Sequence, residues 1–117
     1  LAILIANQLQ KPLKTKTIYL VRHGETDFNK NKMVQGRGIN ASLNETGRQQ
    51  AEKLVKYFAD KDIDQIYCST LIRTAETVQS LKLPIINLAG FDEISWGSQE
   101  GVVPDKESLS LYWDTLS

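Results

Sequence analysis

Three features of the 117-residue sequence predict an α/β fold. Short apolar runs at residues 17–21, 63–68 and 84–88 have the length of strands, the stretches between them carry apolar residues at helical spacing, and turn-forming or hydroxyl residues follow the first two runs. Strand, helix, strand, helix, strand implies right-handed crossovers, and so a mainly parallel central sheet with helices against its faces, a three-layer sandwich. In such sheets ligands gather beyond the carboxyl ends of the strands, where His23 and Ser69 fall.

Residues 1–6 are apolar but far too short to span a bilayer, and they run into Asn7, Gln8 and Gln10. No basic segment precedes them and no small-residue cleavage site is clear, which argues against a signal peptide. With the basic, proline-containing stretch 11–16 they are assigned to a leader, residues 1–16, ahead of a single domain at 17–117. The sequence does not begin with methionine, so the chain is expected to be a piece of something longer. Residues 28–43 lack a sustained period and include Gly36 and Gly38, which predicts a loop folding back over the first strand end. Asn44 or Thr46 can cap a helix whose core stripe is Ala51, Leu54, Val55 and Phe58. Ser69 is expected to cap a second helix reaching about Leu81, with Leu71, Ala75 and Val78 buried, and Pro84 opens the third strand. Beyond Gly90 comes a polar loop with Asp92, Glu93, Trp96, Gly97, Glu100 and Gly101, then Leu109, Tyr112, Trp113 and Leu116 on one face of a short last helix.

Fourteen basic residues balance fourteen acidic ones, so no global field draws the protein to nucleic acid or to an anionic membrane. Basic residues neither cluster nor interleave with aromatics, which also argues against a nucleic-acid partner. Any preference for phosphate must be local. Cys68 is the only cysteine and His23 the only histidine. A disulfide framework and a metal-ligand cluster are thereby excluded from the expectation, and a reducing, cytoplasmic setting is the default. No cofactor is expected, and oligomeric state is not readable.

Arg22-His23-Gly24-Glu25-Thr26 follows the apolar run 18–21, placing the histidine at a strand exit beside a guanidinium. A neutral imidazole is nucleophilic near pH 7 without a further base, and an adjacent arginine can hold a phosphoryl oxygen. Phosphoryl transfer needs a nucleophile, charge on the equatorial oxygens and an acid for the leaving group. His23 is the candidate nucleophile, Arg22 and Arg73 the clamps, Asn29 a neutral donor and Glu93 the acid. Arg73 could otherwise form a surface ion pair with Glu76 or Asp92. Glu93 must keep its proton, which burial beside Trp96 would favour, and Glu25, Asp92 and Glu100 compete for the same role. Two arginines can neutralise phosphate without a metal ion.

Leu20 to Thr26 with Asn29, then Gln35-Gly36, Asn44 to Ala51, Ser69 to Thr77, and Asp92 to Gly97 with Glu100-Gly101 occur in order. Over about residues 17–101 the chain thus resembles the histidine phosphatase superfamily, its phosphoglycerate mutase-like branch. The resemblance implies a phosphomonoester phosphatase acting on a small phosphorylated metabolite. His23 Nε2 would take the phosphoryl group, with Arg22, Asn29, Gln35, Gly36 and Arg73 binding the substrate and Glu93 protonating the leaving group, before water hydrolyses the phosphohistidine. A mutase is the alternative. Family members carry a second histidine on a later strand lying between the first and second strands predicted here, and the chain has no histidine after His23. The sheet is therefore expected to be incomplete at its C-terminal half, with a central gap, and the chain as it stands to be a weak or inactive phosphatase. An inactive phosphate-binding fragment is the rival reading.

Overall fold

The computed structural model describes residues 1–7 and 15–105. Its centre is a four-stranded sheet in the order β2-β1-β3-β4, formed by β1 (Ala2–Asn7), β2 (Lys16–Val21), β3 (Gln65–Cys68) and β4 (Ile85–Asn87). The α/β class is as predicted, but the sheet is mixed rather than mainly parallel: β3 and β4 pair in parallel and β2 runs in the same direction as both, while the two pairings made by β1 are antiparallel. The central gap is filled. β1 lies between β2 and β3, antiparallel to each, with Leu4 opposite Tyr19 on one side and Ile66 on the other.

This corrects the assignment of residues 1–16 to a leader for Ala2–Asn7, which form β1, and for Lys16, which opens β2; residues 8–14 lie outside the described residues. A strand in that slot satisfies the facing N–H and C=O rows of two neighbours at once, which would otherwise be buried without partners. The side chains suit the position. Ala2 and Leu4 are fully buried on the face that meets the helices, and Ala6 packs at its margin.

The chain leaves β2 and makes one turn of helix, α1 (Asp27–Lys30), inside the stretch predicted as loop. Helix α2 (Glu45–Phe58) follows, capped by Asn44, whose Oδ1 accepts the Gly47 N–H at 2.9 Å. Helix α3 (Ile72–Val78) continues as a 3-10 turn at Gln79–Leu81. Ser69 stands two residues too early to cap α3, whose N-cap position is Leu71. Its hydroxyl accepts the Leu71 N–H at 3.3 Å and donates to Thr74 at 2.9 Å, so the predicted cap acts on the approach to the helix.

Both long helices lie on one face of the sheet. Phe58, Ile63 and Val78 join Ala2, Leu4, Ile66 and Cys68 in the core, with Leu54, Tyr19, Val21 and Ile85 packed against them. Tyr19 meets Phe58 edge to face, ring centroids 5.1 Å apart. The opposite face carries no described helix: Ile18 is 57 % and Leu20 70 % exposed, and Ile86 is also exposed. The described residues thus form two layers of the predicted three. The predicted last helix, Leu109 to Leu116, lies outside them. Among the described residues no helix is long and apolar enough to cross a membrane.

Candidate functional site

β2 ends at Val21 and β3 at Cys68, and because they point the same way their exits open on one edge of the sheet. Arg22, His23, Asn29, Gln35 and Glu93 converge there with Leu1 and Met33 around a cavity of about 440 Å³. A second cavity of about 390 Å³ borders His23 on the side of α2 and includes Gln50, Leu54 and Thr77.

His23 is half-buried, and its Nδ1 lies 2.7 Å from the Gly24 carbonyl. A carbonyl can only accept, so this contact places the proton on Nδ1 and leaves the Nε2 lone pair free. Burial pushes the imidazole below its ordinary pKa, the Arg73 and Arg22 guanidiniums push the same way, and the bond to Gly24 pulls back. The net direction is downward, which favours the neutral, nucleophilic ring.

Backbone contacts set the loop that carries His23. A Cβ on Gly24 would stand 2.8 Å from the Gly47 carbonyl, so strand exit and first turn of α2 touch main chain to main chain. Thr26, wholly buried, caps α1. Its Oγ1 accepts the Asn29 N–H at 3.3 Å while Asn29 Oδ1 accepts the Thr26 N–H at 3.0 Å. With its oxygen so engaged, Asn29 has only its amide N–H groups left to offer. The Thr26 hydroxyl also reaches Gln35 Oε1 at 2.8 Å, which orients that amide.

Arg73 does not sit on the surface, as an ion pair with Glu76 or Asp92 would require. It is 1 % exposed, and its terminal nitrogens donate to the carbonyls of Ile39 and, at 3.4 Å, Gly36. It therefore stands behind the cavity lining and braces the loop that carries Gln35. Gly36 is buried against Glu100, Trp96 and Ile94 rather than lining the cavity. Two buried side-chain nitrogens among the described residues have no hydrogen-bond partner, Gln35 Nε2 and Arg73 Nε. Buried donors without partners are costly, and Gln35, which lines the 440 Å³ cavity, has an amide N–H free for a guest there.

The four carboxylates that competed for the acid role are separated by their contacts. Glu25 accepts from the Asn44 amide at 2.9 Å. Asp92 accepts from the Thr70 N–H and hydroxyl at 2.7 Å. Burial would raise its pKa, but those bonds win and hold it below the usual carboxylate range, so it stays ionised. Glu100 accepts the N–H groups of Trp96 at 3.1 Å and Gly38 at 3.2 Å, tying the loop that carries Glu93 to the Gln35 loop. Of the four, Glu93 lines the 440 Å³ cavity with His23, while Glu25 lines the second one, on the side of α2. Glu93 is exposed, not buried beside Trp96 as expected.

Sequence reasoning missed Thr26, Gln50, Thr77 and the clamping role of Glu100. A signal existed for two of them. Thr26 and Asn29 have the spacing of a capping pair, and Thr77 stands four residues after Arg73, on the same side of α3.

The family model of the histidine phosphatase superfamily (branch 1) matches residues 18–114. The chain is 39 % identical over 100 residues to a probable phosphatase of Schizosaccharomyces pombe, covering 80 % of this chain and 47 % of that one. It is 39 % identical over 103 residues to the uncharacterized phosphatase PhoE of Bacillus subtilis, covering 85 % of this chain and 52 % of that one. Among solved structures, phosphoserine phosphatase of Entamoeba histolytica, crystallised with 3-phosphoglyceric acid, superposes with a TM-score of 0.64 at 29 % identity, over 75 % of this chain and 44 % of that one. The chain belongs to the histidine phosphatase superfamily. It spans about half the length of the curated relatives it matches.

Proposed function

We propose that the protein is a phosphomonoester phosphatase that works through a phosphohistidine on His23, with a small phosphorylated metabolite as substrate. The observation that carries this reading is the state of His23: Nδ1 is engaged by the Gly24 carbonyl, and the ring borders the cavity that Arg22, Asn29, Gln35 and Glu93 also line. Nε2 attacks phosphorus in line with the leaving oxygen. The P–O bond to that oxygen breaks as the Glu93 carboxyl gives it a proton, and the phosphoryl group stays on Nε2. Water, losing a proton to the Glu93 carboxylate, then attacks phosphorus and breaks the P–N bond. Arg22, the amide of Asn29 and the unpartnered Gln35 Nε2 stabilise the equatorial oxygens as charge shifts onto them. Arg73 contributes its field and its unpartnered Nε, and holds the loop through Gly36 and Ile39.

The names of the relatives support the chemistry, including fructose-2,6-bisphosphatase TIGAR B of Danio rerio, 38 % identical over 65 residues that cover 56 % of this chain and 25 % of that one. The 117-residue chain is proposed to turn over weakly if at all, because it provides one histidine. The test is exposure to para-nitrophenyl phosphate followed by mass measurement under alkaline quench, where phosphohistidine survives. The reading expects one added phosphoryl group on His23, lost in His23→Ala. Binding of inorganic phosphate with no phosphoryl uptake would replace it with the phosphate-binding fragment, and uptake that persists in His23→Ala would overturn it.

A further inference from the structure

Gly24 is held at both of its peptide planes by side chains outside the cavity lined by Glu93. On its amino side the Gly24 N–H donates to Thr77 Oγ1 at 2.9 Å, a buried contact between the strand exit and α3. The Thr77 hydroxyl donates its own proton to the Arg73 carbonyl at 2.7 Å, so the oxygen it turns to Gly24 can only accept. On the carboxyl side the peptide that joins Gly24 to Glu25 is fixed from α2, because the Glu25 N–H donates to Gln50 Oε1 at 2.8 Å. The carbonyl of that same peptide accepts His23 Nδ1.

We propose that Thr77 and Gln50 are positioning residues that set which ring nitrogen of His23 carries the proton. Thr77 fixes the position of Gly24, Gln50 fixes the tilt of the following peptide plane, and the carbonyl so aimed keeps the proton on Nδ1. A glycine has no side chain to restrain its own dihedrals, so an orientation at this position must be imposed from outside. The bond from Gln50 also polarises the peptide it touches, which makes the opposite carbonyl the better acceptor. Neither residue touches the reacting atoms. Their effect on phosphoryl transfer rests on the phosphatase reading, whereas their effect on the ring does not.

The test uses the fact that His23 is the only histidine, so long-range proton–nitrogen correlation spectra report one imidazole. Under mildly alkaline conditions the unaltered chain is expected to show a predominantly Nδ1–H tautomer. Thr77→Val keeps the shape and removes the acceptor, and is expected to shift the tautomer ratio at least threefold toward Nε2–H. Thr77→Ser restores the ratio. Should Thr77→Val fail to fold, Gln50→Met at an exposed site gives the same direction with a smaller shift. An unchanged ratio in a folded Thr77→Val or Gln50→Met chain overturns the proposal, and so does an equal shift in Thr77→Ser and Thr77→Val. A chain with the expected tautomer that takes up no phosphoryl group sinks the functional reading and leaves this one standing.

Discussion

Gly47, in the first turn of α2, lies so close to the backbone of Glu25 that a Cβ at position 47 would stand 2.2 Å from the Glu25 carbonyl oxygen. Both partners are main chain, so neither can swing aside as a flexible side chain would. The loop that carries His23 therefore rests on a helix end, and its height above the sheet is set by the absence of one methyl group. Helix propensity alone would favour alanine at position 47 by about 1 kcal/mol. Overpacking against backbone costs about 1–3 kcal/mol and opposes that gain. Gly47→Ala is expected to lose up to about 2 kcal/mol in urea unfolding and to weaken binding of inorganic phosphate. A variant as stable as the unaltered chain, with phosphate binding intact, would show that the contact is slack.

The seat of β1 can be tested by comparing one of its residues with a residue of β2 on the opposite face of the sheet. Leu4 is wholly buried in the core, whereas Ile18 on β2 points to the uncovered face and is 57 % exposed. Leu4→Ala is expected to cost about 2–5 kcal/mol. Ile18→Ala should stay within about 0.5 kcal/mol. Against a typical domain stability of about 5–15 kcal/mol the first change is severe. Equal, small effects of both changes on the denaturant midpoint would mean that the amino-terminal strand does not hold the centre of the sheet.

The lowered pKa of His23 has a stability consequence whose sign is fixed. As pH falls below about 6.5, the ordinary value for the free side chain, the unfolded chain takes up a proton while the folded chain resists. The unfolded state binds more protons in that window, so stability rises with pH there and is lost on acidification. The contribution is fully present above about pH 6.5 and disappears as pH drops toward the lower folded value. His23→Gln should flatten this part of the stability profile, measured by urea unfolding between about pH 5 and 7.5. An unchanged slope would assign the acid sensitivity to carboxylates instead.

The strand exits, the core stripe of α2 and the convergence of Arg22, His23, Asn29 and Glu93 were legible because each depends on local pattern, and topology then brings strand ends together. β1 was not read as part of the fold, although Ala2-Ile3-Leu4-Ile5 is a short apolar run of the kind that buries both faces. Nothing near it in sequence names β3 as its partner, and pairing Leu4 with Ile66 is a choice made across the whole chain. The carboxylates show the same limit. Glu93 and Glu100 lie in one polar loop, and only the distant N–H of Gly38 shows that Glu100 is occupied as a clamp. Arg73 was placed correctly on its helix but not in its contacts, because its hydrogen-bond acceptors, the carbonyls of Gly36 and Ile39, belong to a loop whose path no periodicity describes.

Arg73 offers the last and sharpest test, since it joins the stability of the loop to the binding of an anion. Its guanidinium spans two carbonyls of one loop and keeps Nε unpartnered. Lysine retains the charge but presents a point in place of a fork, so it cannot serve both carbonyls and a phosphate oxygen together. Arg73→Lys is expected to lose about 1–3 kcal/mol of stability through carbonyls left without their donors. Saturating inorganic phosphate should raise the unfolding temperature of the unaltered chain, because a ligand that binds only the folded state stabilises it by mass action. In Arg73→Lys that increment should largely vanish. If the variant keeps the full phosphate-dependent rise while losing stability, Arg73 braces the loop and takes no part in holding the anion.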